Sequence, residues 1–284
     1  MRKKEKEMQV PAFEISGTNR KMINYQVYEM SANEKAIYFL IAFVIGAAVA
    51  YLFYGGIGKD EYGNPTVLTH ILDIAIMAIV GFVAGKVFLP IRRNQIIEAR
   101  KKKLRKQFVD LLDSLATSIS SGKNIPNAFI AAKEDLLVQY DADAFIVQEV
   151  DNIIAGINNN LDIGGMLLNF GERSGITDIR TFGRVFETAV SKGANMKEVI
   201  RNSHVILSNK CEIEAEIETK VASNKNEQNI MVIMPVILIT MIKFAGSDFA
   251  SNFTTPTGIL STTIAIAMFV GAYMLGRKIL KLEV

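Results

Sequence analysis

One cysteine, Cys211, and two histidines, His70 and His204, are all that 284 residues provide of either type, and there is no tryptophan. A single cysteine excludes a disulfide framework within the chain and any thiolate-rich metal cluster. The sequence contains no His-Glu-x-x-His helix and no Gly-x-x-x-x-Gly-Lys-Ser/Thr loop, which removes the commonest zinc-hydrolase and phosphate-binding signatures. Its net charge of +3 is too small for a chain built to hold a polyanion, so nucleic acid is not an expected partner. No catalytic, metal-binding or cofactor-binding residue is assigned from sequence, and the chain is not read as an enzyme.

Apolar length is what the chain has in quantity. Half of its residues are hydrophobic, yet 21 % are charged, and the two classes are segregated. Four apolar stretches, 36–54, 67–89, 230–245 and 258–276, approach the ~20 residues a helix needs to cross a hydrocarbon layer of ~30 Å. The block 91–229 between them carries 19 Lys/Arg and 19 Asp/Glu, far too many charges for lipid. The expected fold class is all-α: a polytopic membrane protein with four transmembrane helices and a central cytoplasmic antiparallel helical bundle. Its parts are an N-terminal extension (1–35), a first transmembrane pair (36–89), a helical domain (91–229), a second transmembrane pair (230–276) and a tail (277–284).

The positions of Lys and Arg set the orientation, because positively charged loops stay on the cytoplasmic side during insertion. Arg2, Lys3, Lys4, Lys6, Arg20, Lys21 and Lys35 precede the first span, Arg92 and Arg93 follow the second, and Arg277, Lys278 and Lys281 follow the fourth. The loop 55–66 has only Lys59, and the loop 246–257 has neither Lys nor Arg. Both termini and the central domain are therefore expected in the cytoplasm, with the chain multi-pass in the cytoplasmic (inner) membrane. The first 35 residues lack an apolar signal core, so the first span is read as a retained anchor. Gly81 and Gly85 in span two form a small-xxx-small pair that lets helix backbones approach closely.

The soluble block reads as helices. From 95 to 120 the apolar residues Ile96, Ile97, Leu104, Phe108, Leu111, Leu112, Leu115 and Ile119 recur near a period of 3.6. Further helices are expected at 125–138, 143–155, 162–170, 178–191 and 196–222, the last running on into span three with Pro235 bending it.

An internal repeat is the most specific signal. Residues 108–129 lie on 179–200 without a gap, aligning Thr117 with Thr188, Ser120 with Ser191, Gly122 with Gly193 and Asn124 with Asn195. Apolar positions match too: Leu111 with Phe182, Leu115 with Phe186, Ile125 with Met196. A glycine that ends one helix in the left-handed conformation, then an asparagine that caps the next, is the chemistry of a tight helical hairpin. Lys123 stands inside the first turn, and Lys192 beside the glycine of the second.

At these residues the chain resembles the type II secretion system F family, and within it the Tad-type pilus platform proteins. The resemblance rests on Phe108-Val-Asp-Leu-Leu-Asp-Ser-Leu, on Ser121-Gly122 with Ile125 and Ala128, on Gly156 before Leu161 and Leu167, and on Asp178-Ile179 followed by Gly193, Met196 and Val199. The family's basic stretch before the first domain helix corresponds to 92–106. The glycine that often accompanies the Gly193 position is absent, and the extension 1–33 has no counterpart. The resemblance implies a membrane platform for assembly of a type IV-like pilus or a type II secretion machine. It implies a cytoplasmic ATPase and pilin subunits as partners, a homo-oligomer or a sister platform subunit, and membrane lipid around the spans. The candidate partner contacts are the hairpin turns (Gly122, Lys123, Asn124, Lys192, Gly193, Asn195) and one acidic helical face, Glu214 with Glu218. A membrane transporter or channel component is the alternative, but 74–80 is wholly apolar beside His70 and Asp73, and a conduction path needs ionisable groups towards the midplane.

Overall fold

The computed structural model describes residues 11–58, 64–245 and 252–282. The charges at Arg2, Lys3, Lys4, Lys6 and Lys59, and residues 246–251 of the loop 246–257, lie outside them. The chain begins with a two-stranded antiparallel hairpin, β1 (Phe13–Ile15) and β2 (Lys21–Ile23), in the register Phe13↔Ile23, Glu14↔Met22 and Ile15↔Lys21. Among the described residues eight helices follow: α1 (Ala32–Tyr54), α2 (Val67–Ser120), α3 (Ile125–Gln139), α4 (Phe145–Asn158), α5 (Ile163–Ser174), α6 (Thr177–Ser191), α7 (Met196–Ala245) and α8 (Pro256–Leu282). The described residues are thus helical but for turns and the small hairpin, which falls in the extension the family resemblance leaves unmatched. It closes by local turn chemistry: Ser16 Oγ accepts from the Thr18 and Arg20 main-chain N–H groups, and Asn19 takes a positive φ of 59°.

Contacts divide the described residues into two compact units, 11–29 with 93–212 and 30–92 with 213–282. Helices α2 and α7 each contribute to both. At 54 residues, α2 runs through Pro90 without interruption, although proline removes one intrahelical hydrogen bond and its ring crowds the preceding turn. The step from apolar span to charged domain therefore falls inside a helix. Pro235 is likewise accommodated inside the 50-residue α7.

The first unit has a core of large apolar side chains from every one of its helices. Leu104, Phe108, Leu111, Leu112 and Leu115 line the buried face of α2 and are at most 1 % exposed, the 3.6-residue periodicity expressed as burial. The Phe108 ring meets Phe182 and Phe170 edge to face, with centroids 5.4 and 6.1 Å apart. These two contacts tie α2 to α6 and α5.

In the second unit, α1, α2 and α8 contain stretches long and apolar enough to cross a membrane. Only 11 %, 11 % and 6 % of those stretches is buried. Side chains such as Leu40, Ile45, Ile74 and Met268 are more than half exposed, which in water would be a severe aggregation liability and in hydrocarbon costs nothing. This is a membrane protein by that criterion. The fourth apolar stretch is helical as the C-terminal part of α7.

Candidate functional site

Three groups of residues carry the sequence-derived expectations, and a fourth group emerges only from the structure. The turns come first. After α2, Gly122 takes φ +90°, Gly122 N–H donates to Ile119 O (3.1 Å) and Lys123 N–H to Ser118 O (3.2 Å). After α6, Gly193 takes φ +64°, Gly193 N–H donates to Val190 O (3.2 Å) and Ala194 N–H to Ala189 O (2.9 Å). The paired 5→2 and 6→1 bonds are those of a Schellman helix end, and they occur at the same 71-residue offset as the sequence match. A Cβ added at either glycine would meet nothing within 4 Å, so the requirement for glycine is one of backbone conformation alone.

The two turns differ in how the next helix starts. Asn124 caps α3 through its side chain, which accepts from Asn127 N–H at 3.0 Å. At Asn195 the main-chain oxygen accepts from Glu198 and Val199 N–H, both at 3.1 Å. Lys123 and Lys192 are exposed, so both turns present a cation to solvent.

The returning helices are fastened to their partners by polar contacts. Tyr140, just past α3, donates to Asp110 of α2; burial and that bond push the phenol up to about 12. Asp178 of α6 lies 2.7 Å from Lys210 of α7 and 3.4 Å from Arg105 of α2, so a single carboxylate joins three helices. His204 of α7 sits 3.7 Å from Asp113 of α2.

The acidic face is on α7, with Glu214 half-buried and Glu218 exposed. In the membrane helices, Gly81 and Gly85 stand where α2 meets α1. A Cβ on Gly81 would lie 2.9 Å from the Phe43 carbonyl oxygen, and one on Gly85 2.5 Å from the Phe39 ring. Gly46 of α1 reciprocates, with a Cβ there 3.3 Å from Gly81 Cα. Asp73, named above beside the rejected conduction path, accepts the Gly56 main-chain N–H at 3.0 Å and so ties the residues just past α1 to α2.

The fourth group was not foreseen. Glu149 of α4 and Arg173 of α5 form a bidentate ion pair, with Nη1 to Oε1 at 2.9 Å and Nη2 to Oε2 at 2.7 Å, and both side chains are only 3 % exposed. The N-terminal segment completes it. Tyr25 is fully buried, its hydroxyl donates to Glu149 Oε1 (3.0 Å), and Arg173 Nη1 donates to Ile23 O (2.8 Å). Arg173 Nε is taken by Asn169 Oδ1 (2.7 Å). Tyr25 N–H also donates to Arg173 O, and Gln26 Nε2 to Glu172 O.

Residues 11–29 therefore act as a clasp across α4 and α5. Burial, then the charge and hydrogen bond of Glu149, hold the Tyr25 phenol well above the ordinary tyrosine range. Burial works against the Arg173 charge, but the Glu149 hydrogen bond and charge outweigh it and keep the guanidinium above its usual value. A sequence signal for the pair does exist. Glu149 shares the buried face of α4 with Ile146, Val150 and Ile153, and Arg173 that of α5 with Leu167 and Phe170. A charge at a core position demands a partner.

A cleft of about 330 Å³ opens above the pair, with Ser16, Thr18, Asn152, Asp162 and Asn169 in its walls. Ser16 is engaged within its own turn and Asp162 caps α5 through Gly165 N–H, so these side chains build the loops that carry them. Among the described residues no three His, Cys, Asp or Glu converge closely enough to hold a metal ion. Comparison of the chain with protein-family models, with curated proteins and with solved structures finds no match.

Proposed function

We propose that the chain is a membrane platform protein of the type II secretion F kind, similar to those of Tad-type pili, on which pilin subunits gather and a cytoplasmic ATPase acts. The repeated helical hairpin is the observation that carries this reading. Two copies with the same Schellman closure, 71 residues apart, lie in one compact unit, and each copy includes one of the long helices, α2 or α7, that continues into an apolar stretch. A displacement applied at either turn is carried along a single unbroken helix, which is what a coupler between a cytoplasmic motor and the membrane requires.

In this reading the stretch 230–245 with its continuation is the fourth membrane crossing, and both termini and the clasped helical unit are cytoplasmic, as the Lys and Arg distribution implies. Lys123 and Lys192 are the ATPase-facing cations, and Glu214 and Glu218 a second contact. The platform works as a homo-oligomer or with a sister subunit.

Docking through exposed charges is weak and salt-sensitive, because each contributes ~1 kcal/mol or less and is screened over ~8 Å. Lys123→Glu combined with Lys192→Glu abolishes surface fibres, counted by electron microscopy, while membrane abundance is unchanged. Normal fibres in the double variant would remove the turns as a docking site.

A further inference from the structure

The cleft above the Glu149–Arg173 pair has the N-terminal hairpin on one side and α4 and α5 on the other. Its volume of about 330 Å³ is within the range of ligand sites. Glu149 and Arg173 cancel as an ion pair, and the other two charged residues of the lining, Glu14 and Asp162, are both acidic. Two amides in the walls keep hydrogen-bonding capacity. Asn169 accepts Arg173 Nε through Oδ1 but its nitrogen has no partner among the described residues, and neither has the Asn152 side chain. Met22, Ile153, Leu161 and Met166 supply the apolar part.

Beside the cleft, β1 offers a strand edge. Asn24 N–H donates to Ala12 O (3.0 Å) and Ser16 N–H to Arg20 O (2.8 Å), so with the register Glu14↔Met22 the main-chain groups of residues 12, 14 and 16 turn towards β2. Those of Phe13 and Ile15 turn outwards, by the alternation of an antiparallel ladder, and they have no hydrogen-bond partner among the described residues. Both side chains are exposed, Ile15 by 73 %. The one charged side chain of β1 is Glu14, which shares with Met22 the hairpin face that lines the cleft. Lys21 belongs to the opposite face, and Arg20 reaches Asp151 O.

We propose that β1 and this cleft form a docking site for an extended segment of a partner polypeptide, added as an antiparallel strand with a lysine or arginine between two apolar residues. Strand addition draws affinity from main-chain bonds, here to Phe13 and Ile15, and specificity from alternate side chains. The residue opposite Glu14 falls in a non-hydrogen-bonded pair, the closer kind with Cα atoms ~4.5 Å apart, and its side chain emerges on the cleft side. A basic side chain there brings a cation to two uncompensated carboxylates and an aliphatic stem to the apolar lining; an acidic one is repelled. Every residue of the site belongs to the first compact unit, so the inference depends neither on fibre assembly nor on the membrane crossings.

The probe is the peptide Thr-Val-Lys-Val-Thr-amide with an uncharged fluorophore at its N-terminus, and its counterpart with Glu in place of Lys. Each is titrated at low salt with the purified full-length chain in phosphatidylcholine nanodiscs and followed by fluorescence anisotropy. The lysine peptide should bind about fivefold more tightly, the discrimination that one cross-strand charge pair provides. Glu14→Gln should abolish that preference. Ile15→Pro removes an outward N–H and no bond within the hairpin, and should abolish binding of both peptides. The ten residues before Pro11 carry Arg2, Lys3, Lys4 and Lys6 against Glu5 and Glu7, so a chain lacking residues 2–9 is titrated in parallel and should bind no more tightly than the full chain.

No binding of the lysine peptide, equal affinity for the two peptides, or a preference that survives Glu14→Gln overturns the proposal. So does unchanged binding to an Ile15→Pro protein whose melting temperature is unaltered, because the strand edge is then not used. Binding that appears only without residues 2–9 makes the chain's own N-terminal segment the occupant and overturns it equally. If Ile15→Pro melts lower, the Glu14→Gln result decides alone.

Discussion

Tyr25 shows how much one residue outside the helices can hold. Its ring packs edge to face on Phe145 at 5.4 Å and its hydroxyl is the third partner of a buried ion pair. Tyr25→Phe keeps the packing and removes a hydrogen bond to a charged group, a loss of ~1.5–3 kcal/mol. Arg173→Ala is expected to cost more, ~3–5 kcal/mol, because Glu149 is then left buried without its cation. Chemical denaturation of the purified chain orders the two. The phenol also dictates a pH dependence. Its folded pKa is raised above the unfolded value of ~10, so the stability it contributes is complete below that pH and is lost as the pH climbs above it. Tyr140, pushed up to about 12, acts in the same direction. The protein should therefore lose stability above pH ~10, at up to ~1.4 kcal/mol per pH unit for each phenol, and Tyr25→Phe should flatten that fall. An unchanged alkaline profile in Tyr25→Phe would mean the hydroxyl is not buried against Glu149.

At the scale of elements, the hairpin turns were legible in sequence and the clasp was not, for a physical reason. A Schellman end is determined by residues within six positions of one another, so Gly122 with Asn124 and Gly193 with Asn195 announce it locally. Both glycines hold positive φ in open surroundings, and valine at either position must adopt a backbone region that costs an L-residue ~1–2 kcal/mol. Gly122→Val and Gly193→Val should each speed hydrogen exchange in the helices flanking their own turn, α2 with α3 and α6 with α7; unaltered exchange would show that the turn does not need the left-handed conformation. The clasp depends instead on pairings 124 and 150 residues apart, Tyr25 with Glu149 and Arg173 with Ile23, for which no periodicity gives notice. The helices of the charged block followed from apolar spacing, with ends from 125 to 196 either matched or displaced by at most four residues: α5 extends to Ser174 because Gly175 takes φ +61°.

For the whole molecule, the division into apolar spans and a charged helical unit was visible in the sequence because lipid and water select opposite compositions. The charge asymmetry of the loops makes a definite topological statement. With Cys211→Ser as background, a cysteine at Asn64 should react with an impermeant maleimide from outside intact cells, and one at Gln139, exposed at the end of α3, should not. Reaction at Gln139 would put the helical unit on the wrong face of the membrane for a cytoplasmic motor.

The platform account is tested most directly at its contact with that motor. A photoreactive residue at Lys123 or Lys192, in cells that are building fibres, should capture the assembly ATPase, while the same residue at Val138, 87 % exposed at the far end of α3, should not. Capture of lipid alone, or of the ATPase equally from all three positions, would contradict the account.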